Sequence, residues 1–253
     1  MPPSDGNNAS PDDSAAVRKA ASFLSATARD WSQNEKAVDV DLQRHQRCGF
    51  PEVIYGSGKP VELIINVIRQ QRAAQQSSFV TRLDPDVAAV LQAEFPQAIH
   101  NPVARTVRIP LPEAQATSRG GPVFVVTAGS SDRPVAEEAT ETLRWMNIEC
   151  ELLQDCGVAG PHRLERHLPK LKTAQAIVCV AGMEAALPSV IGGHVACPVI
   201  GVPTSVGYGA SLDGLTALLS MVTCCASNVV AVNIDAGFKG GYVAGLIASR
   251  GSR

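Results

Sequence analysis

Beyond residue 118 the chain alternates short apolar runs with longer amphipathic segments, and this alternation constrains the fold more than any other feature. The apolar runs are VFVVTAG, ECELLQD, AIVCVAG, PVIGVP and VVAVNI. Between them the spacing predicts helices over roughly 134–147, 161–173, 185–195 and 213–226, and a last one over about 240–249. Strands that are apolar almost throughout are covered on both faces, and right-handed crossovers put helices on each side of a parallel sheet. The expected fold is therefore α/β, a parallel sheet with helices on both faces spanning 119–253. In such sheets ligands bind outside the carboxyl ends of the strands, so the strand-end loops are the place to look for a site.

The first half is less regular. Residues 1–14 are rich in Ser, Pro, Asp, Asn and Gly and are expected to form a disordered tail. A smaller α+β domain with its linker is expected over 15–118: a helix near 16–30, a strand in EVIYG, helices around 61–74 and 84–95, and a strand in RTVRIPL. The turn-rich PEAQATSRGGP that follows reads as the linker. A net charge of −2 with 18% charged residues gives no basic field, so neither nucleic acid nor an anionic membrane is an expected partner. No apolar run reaches the roughly 18–20 residues of a spanning helix and the start is polar, so the expected location is cytoplasmic.

Four strand-end loops carry chemistry. In TAGSSDRPVAEEA, Gly129 permits a tight turn, Ser130 and Ser131 offer hydroxyls, Asp132 can cap the helix and Pro134 suits its first turn. The loop is either a phosphate cradle or an ordinary Asp-capped helix start. It has no GKS or GKT and no GxGxxG, which excludes a Walker loop and a dinucleotide fingerprint. In DCGVAGPHRLERH, His162 and Arg163 either bring a cation to a bound phosphate or begin a solvated helix. AGMEAALPSVIGGH sets Glu184 directly after a buried strand, with Met183 beside it as a substrate contact. A partly desolvated carboxylate there suits proton abstraction, the alternative being a helix cap. Gly192 and Gly193 in the same loop suggest close packing of the helix, across subunits or within one. In GVPTSVGYGASLDG, Ser205, Tyr208 and Gly209 can present hydroxyl, ring and backbone donors to a ligand, or form a plain surface loop.

Seven cysteines, at 48, 150, 156, 179, 197, 224 and 225, form no CxxC pair, so a zinc framework is not expected and any metal ligands are unknown. Cys179, inside AIVCVAG, reads as a core residue. Cys224 and Cys225 fall at the end of the 213–226 helix, where adjacent side chains diverge by about 100°. A thiol at that end gains nothing from the helix dipole, so its activation requires a nearby cation or a cationic substrate.

Taken in order, TAGSSDRPVAEEA, DCGVAGPHRL, VAGMEAALPSVIGG, GVPTSVGYGAS and TCCASNVVAVNIDAGF resemble the LarB family, the pyridinium-3,5-biscarboxylic acid mononucleotide synthases of nickel-pincer cofactor synthesis. GFPEVIYGSGK, residues 49–59, resembles that family as well, and the likeness runs over about residues 44–248. The second half is also similar to the phosphoribosylaminoimidazole carboxylases, which implies a flavodoxin-like, AIR-carboxylase-like domain. The resemblance implies that nicotinic acid adenine dinucleotide and carbon dioxide are converted to the biscarboxylated mononucleotide with release of AMP, magnesium being a possible cofactor. It implies Cys225 as the nucleophile, Glu184 as the base, and Ser130, Ser131 and Asp132 as the phosphate and ribose cradle. It also implies a homo-oligomer, often an octamer, with sites shared between subunits. Cys224 stands where the family has a small residue and remains a rival nucleophile; Ala236 and Lys239 depart from the family pattern in the last loop. Glu52, Tyr55 and Lys59 are either contacts for the adenylate part or structural. The competing readings are a purine-pathway carboxylase or mutase, which typically has a histidine where this chain reads GMEAALPS, and a noncatalytic nucleotide-binding module.

Overall fold

The computed structural model describes residues 39–111 and 118–251; the expected tail and the 16–30 helix lie outside them, as does most of the linker. In the first part a short helix, α1 (Arg44–Cys48), leads to β1 (Ile54–Tyr55), α2 (Val61–Ala73), β2 (Ser78–Thr81), α3 (Pro85–Glu94), β3 (Ile99–Asn101) and β4 (Thr106–Ile109). The four strands form one sheet in the order β1-β2-β4-β3, with β1 parallel to β2 and the other pairs antiparallel. Helices α2 and α3 cover one face with Ile64, Ile68, Ala88 and Leu91, all fully buried. Strands β2 and β3 were not expected from the sequence. SFVT and IHN are too short to show a period of two, and β2 is buried at all four positions, so no alternation marks it.

In the second part five strands, β5 (Val123–Thr127), β6 (Cys150–Leu153), β7 (Ala176–Ala181), β8 (Val199–Pro203) and β9 (Val229–Ala231), run parallel in the order β6-β5-β7-β8-β9. Successive residues of β5, β7 and β8 serve opposite cores, which is why these strands read as unbroken apolar runs. Val125, Val178 and Ile200 share one cluster, with α4 (Arg133–Trp145) and α9 (Gly237–Gly251). Phe124, Val126, Ile177, Cys179 and Val199 share the other, with α5 (Pro161–Glu165), α6 (Leu168–Leu171) and α7 (Leu187–Gly192). Burial pushes the Cys179 thiol well up, as befits a core residue. Helix α8 (Leu215–Val222) completes the set. The expected 161–173 helix is split into α5 and α6, with Pro169 in the first turn of the second. The expected 185–195 helix is shortened because residues 182–186 form a turn. The 213–226 helix stops at Val222, so Cys224 and Cys225 lie beyond it rather than on its last turn.

Helix α9 lies close against α4 because Gly237, Gly241 and Gly245 recur every fourth residue along one side. A β-carbon on Gly241 would stand 2.5 Å from the Ala139 carbonyl oxygen, a main-chain atom that cannot swing aside. Gly241→Val is therefore expected to cost about 1–3 kcal/mol, read as a lowered midpoint in urea unfolding.

The outer side of α4 docks on the N-terminal sheet. Phe79 of β2 stacks on Trp145 at 5.5 Å between ring centroids. Buried carboxylates flank this contact: Glu138 accepts from Arg82 at 3.1 and 3.3 Å, while Glu141 accepts from Arg108, from Arg144 at 2.7 Å and from Asn101 at 3.3 Å. Burial alone would raise the Glu141 carboxyl, but Arg108, helped by Arg144 and Asn101, outweighs it and holds the group below the usual glutamate range. A carboxyl held low by folding stabilises above its unfolded value and loses that contribution as pH falls through the folded one. Glu141→Gln should therefore flatten the loss of thermal midpoint between about pH 5 and about pH 3; an unchanged slope would exclude this group as a source of acid lability.

Candidate active site

The order β6-β5-β7-β8-β9 reverses direction between β5 and β7, and a crevice opens at the carboxyl ends of strands flanking such a switch. A cavity of about 280 Å³ lies there, lined by Gly129, Ser131 and Asp132 after β5, Asp155, Gly157 and Arg163 after β6, Gly182 to Leu187 after β7, and Val206 after β8. A larger cavity of about 690 Å³ lies where the two sheets meet, between α1 and the C-terminal end of α4. Its Arg108 and Arg144 are already spent on Glu141, and none of the strand-end loops reaches it, so the smaller cavity is the better candidate.

Asp132 is the buried post of this site. Its carboxylate accepts the Gly129 amide at 2.8 Å, the Thr204 hydroxyl at 2.7 Å and the Gly182 amide, joining the ends of β5, β7 and β8. It does not cap α4 through its side chain, contrary to the expectation. Burial raises its pKa against the pull of these donors. Gly182 is required by the close approach: a β-carbon there would lie 2.4 Å from the Val206 carbonyl oxygen and 2.7 Å from the Thr204 hydroxyl. Ser131 lines the cavity, whereas Ser130 is exposed outside its wall.

Arg163 lies across the β6 loop. Its Nη1 pairs with Asp155 at 2.7 Å, and a β-carbon on Gly160 would stand 2.7 Å from its Nε. That Nε is buried with no hydrogen-bond partner. The guanidinium lines the cavity with its side chain partly exposed, so the nitrogen that neither Asp155 nor burial takes is suited to a phosphate or carboxylate. His162, one residue earlier, is exposed and does not line the cavity.

Met183 and Glu184 sit on the turn after β7, where Met183 and Ala185 adopt positive φ of 54° and 50°. Non-glycine residues hold that conformation only where their surroundings impose it. Glu184 was expected to be partly desolvated, yet in the single chain it is exposed, with no ion-pair or hydrogen-bond partner among the described residues. The turn lifts it out of the sheet instead of burying it. Ser205, Tyr208 and Gly209 are exposed beyond the cavity rim, Tyr208 at 81%.

Cys225 precedes β9, which runs parallel to β8, so it stands at the amino edge of the sheet while Glu184 stands at the carboxyl edge. Its neighbour Ala226 faces Gly192, whose β-carbon would lie 2.8 Å from that of Ala226, so the tight packing at Gly192 is internal to the chain. Cys225 is exposed and Cys224 half-buried. Beside them α8 presents Leu215, Leu219 and Val222 to solvent, with Leu212 before it and Val230 on the edge strand. Apolar residues at this spacing form one uncovered helix face. Glu52 is a structural residue, its carboxylate accepting the Asp41 amide at 2.8 Å; Tyr55 is exposed under the Lys59 ammonium, 5.7 Å from the ring centroid.

Removing Asp132 leaves two amides and a hydroxyl unpaired, so Asp132→Ala should cost about 2–4 kcal/mol in urea unfolding, against less than about 0.5 kcal/mol for exposed Ser131→Ala. Equal costs would show that Asp132 does not hold the loops together.

Residues 32–111 match the family described as LarB/PurE-like N-terminal domain and residues 122–252 match AIR carboxylase. An uncharacterized protein of Methanocaldococcus jannaschii is 38% identical over 226 residues, 86% of this chain and 86% of its own length. An N5-carboxyaminoimidazole ribonucleotide mutase of the same organism is 35% identical over 119 residues, 46% of this chain and 71% of its own. A crystal structure of a Treponema denticola PurE2 variant is similar at a TM-score of 0.38 and 19% identity, covering 45% of this chain and 71% of that one.

Proposed function

Since this chain belongs to the LarB family, with a LarB/PurE-like N-terminal domain ahead of an AIR carboxylase domain and hence an enzyme of the carboxylase/mutase type, we propose that it carboxylates the pyridinium ring of nicotinic acid adenine dinucleotide. Carbon dioxide is the co-substrate, and hydrolysis of the phosphoanhydride releases AMP and pyridinium-3,5-biscarboxylic acid mononucleotide. The observation that carries the reading is the switch-point cavity, which combines the Ser131 and Gly129 loop and Arg163 for phosphate with an unpartnered Glu184.

Ring carbon 5 of a pyridinium is too electron-poor to attack carbon dioxide. Addition of the Cys225 thiolate to the neighbouring ring carbon gives a neutral, enamine-like dihydropyridine that can attack. Glu184 then takes the proton from carbon 5, and expulsion of the thiolate restores the aromatic cation. The substrate's fixed positive charge supplies the attraction that lowers the thiol's cost of ionising. Among the described residues no three His, Cys, Asp or Glu side chains stand close enough together to hold a metal ion; magnesium, where it takes part, would be held largely by the substrate's own phosphates.

Within one chain Cys225 and Glu184 stand at opposite edges of the sheet, so the thiol comes from a second copy. The exposed Leu212, Leu215, Leu219, Val222 and Val230 beside it are the apolar surface that copy covers. Tyr208 and the exposed Ser205 loop are contacts that such assembly brings to the ligand.

Incubation with nicotinic acid adenine dinucleotide, magnesium and bicarbonate should yield AMP and a mononucleotide heavier by one carboxylate. Cys225→Ser should abolish the product and Cys224→Ser should not; product from Cys225→Ser refutes the covalent route. Hetero-oligomers assembled from Cys225→Ser and Glu184→Gln chains should recover about a quarter of wild-type activity, the fraction of shared sites drawing both groups intact. No recovery would place both groups in one subunit. The mutase relative favours a second reading: conversion of N5-carboxyaminoimidazole ribonucleotide by wild type and Cys225→Ser alike would establish it.

A further inference from the structure

Arg82 follows β2 in the N-terminal sheet, and its guanidinium reaches two acceptors in the other half of the chain. Nε and Nη2 donate to the Glu138 carboxylate, and Nη2 donates also to the main-chain carbonyl of Asp235. Glu138 in turn accepts the amides of Gly237 and Phe238 at the start of α9. Asp235 lies in the turn between β9 and α9; its carboxylate accepts the Ser205 amide at 2.9 Å, and its own amide donates to the Pro203 carbonyl at 2.8 Å. One residue after Ser205, the Val206 carbonyl accepts the Met183 amide at 3.0 Å. Val206, Met183 and Glu184 line the cavity. Hydrogen bonds and single peptide links thus join an arginine of the N-terminal domain to the turn that carries Glu184.

The joints of this path share an unfavourable backbone. Arg82, Asp235, Met183 and Ala185 have φ of 56°, 55°, 54° and 50°, and none is glycine. Such residues keep that conformation only where fixed neighbours impose it. The planar fork of arginine can hold the Glu138 carboxylate and the Asp235 carbonyl together, which the point charge of a lysine cannot.

We infer that Arg82 is a positioning residue for the carboxylase site: through the Asp235 peptide it fixes the Ser205–Val206 loop, and through that loop the turn presenting Glu184. The N-terminal domain is then a working part of the site. Only the kinetic arm of the test rests on the function proposed above.

Amide hydrogen exchange is to be compared in wild type, Arg82→Ala, Arg82→Lys and Glu138→Gln. In Arg82→Ala the Ser205 and Met183 amides should exchange at least about tenfold faster while those within β7 and β8 keep their rates. Glu138→Gln removes the ion pair but leaves the bond from Arg82 to Asp235, and should keep both site amides near wild type. Arg82→Lys should fall between, and decides the matter if the alanine variant fails to fold. The inference is overturned if the Arg82 variants exchange like wild type, if Glu138→Gln loosens the two amides as much as they do, or if exchange rises evenly through β7 and β8. On nicotinic acid adenine dinucleotide, Arg82→Lys should lower kcat about tenfold and leave KM within about threefold. An equal fall in Glu138→Gln overturns the inference. If the wild type does not turn this substrate over, the proposed function fails while the exchange rates still decide the role of Arg82.

Discussion

Helix α4 is buried on both sides, and the rest of the molecule is arranged around that fact. Its inner side carries Ala136, Ala139 and Leu143 against α9 and the parallel sheet. Its outer side carries Glu137, Glu138 and Glu141, facing Arg82, Asn101 and Arg108 of the N-terminal sheet. Carboxylates at 3% exposure are costly unless paired, so Glu138 and Glu141 make the docking of the two halves obligatory rather than optional. Phe79 on Trp145 fixes the docking geometry from the apolar side.

The same helix begins at the site. Asp132, immediately before it, gathers the ends of three strands by accepting hydrogen bonds from Gly129, Gly182 and Thr204. A buried carboxylate serves as the hub because the donors it collects are two amides and a hydroxyl with no other partner nearby. Around this hub the loops are pinned in conformations that non-glycine residues rarely adopt, at Met183, Ala185, Leu212, Asp213 and Asp235. The loops of the site are therefore held in fixed conformations, while Glu184, the base proposed for the chemistry, projects from them with no hydrogen-bond or ion-pair partner among the described residues.

Much of this was legible from local pattern. The five parallel strands, α2, α3 and the long α4 follow from apolar runs, period and capping residues that act over a few positions. Ser131, Asp132, Arg163, Met183 and Glu184 could be assigned to strand-end loops, and all five line one cavity. What the pattern could not supply was the burial of each group: Glu184 is exposed, and Asp132 is spent on the protein's own amides. Arg82 escaped notice because nothing in TRLDP marks an arginine whose acceptors lie 56 and 153 positions further along the chain.

The sequence by itself determined the α/β class, the helices on both faces and the family, since apolar run length, turn residues and motif order are properties of neighbouring positions. Tertiary structure decided which loops converge, because that depends on the strand order β6-β5-β7-β8-β9, whose reversal between β5 and β7 opens the crevice. It also set Cys225 at the amino edge of the sheet and Glu184 at the carboxyl edge. Parallel connections carry the chain back across the sheet between one strand and the next, so residues in successive loops alternate between its two ends.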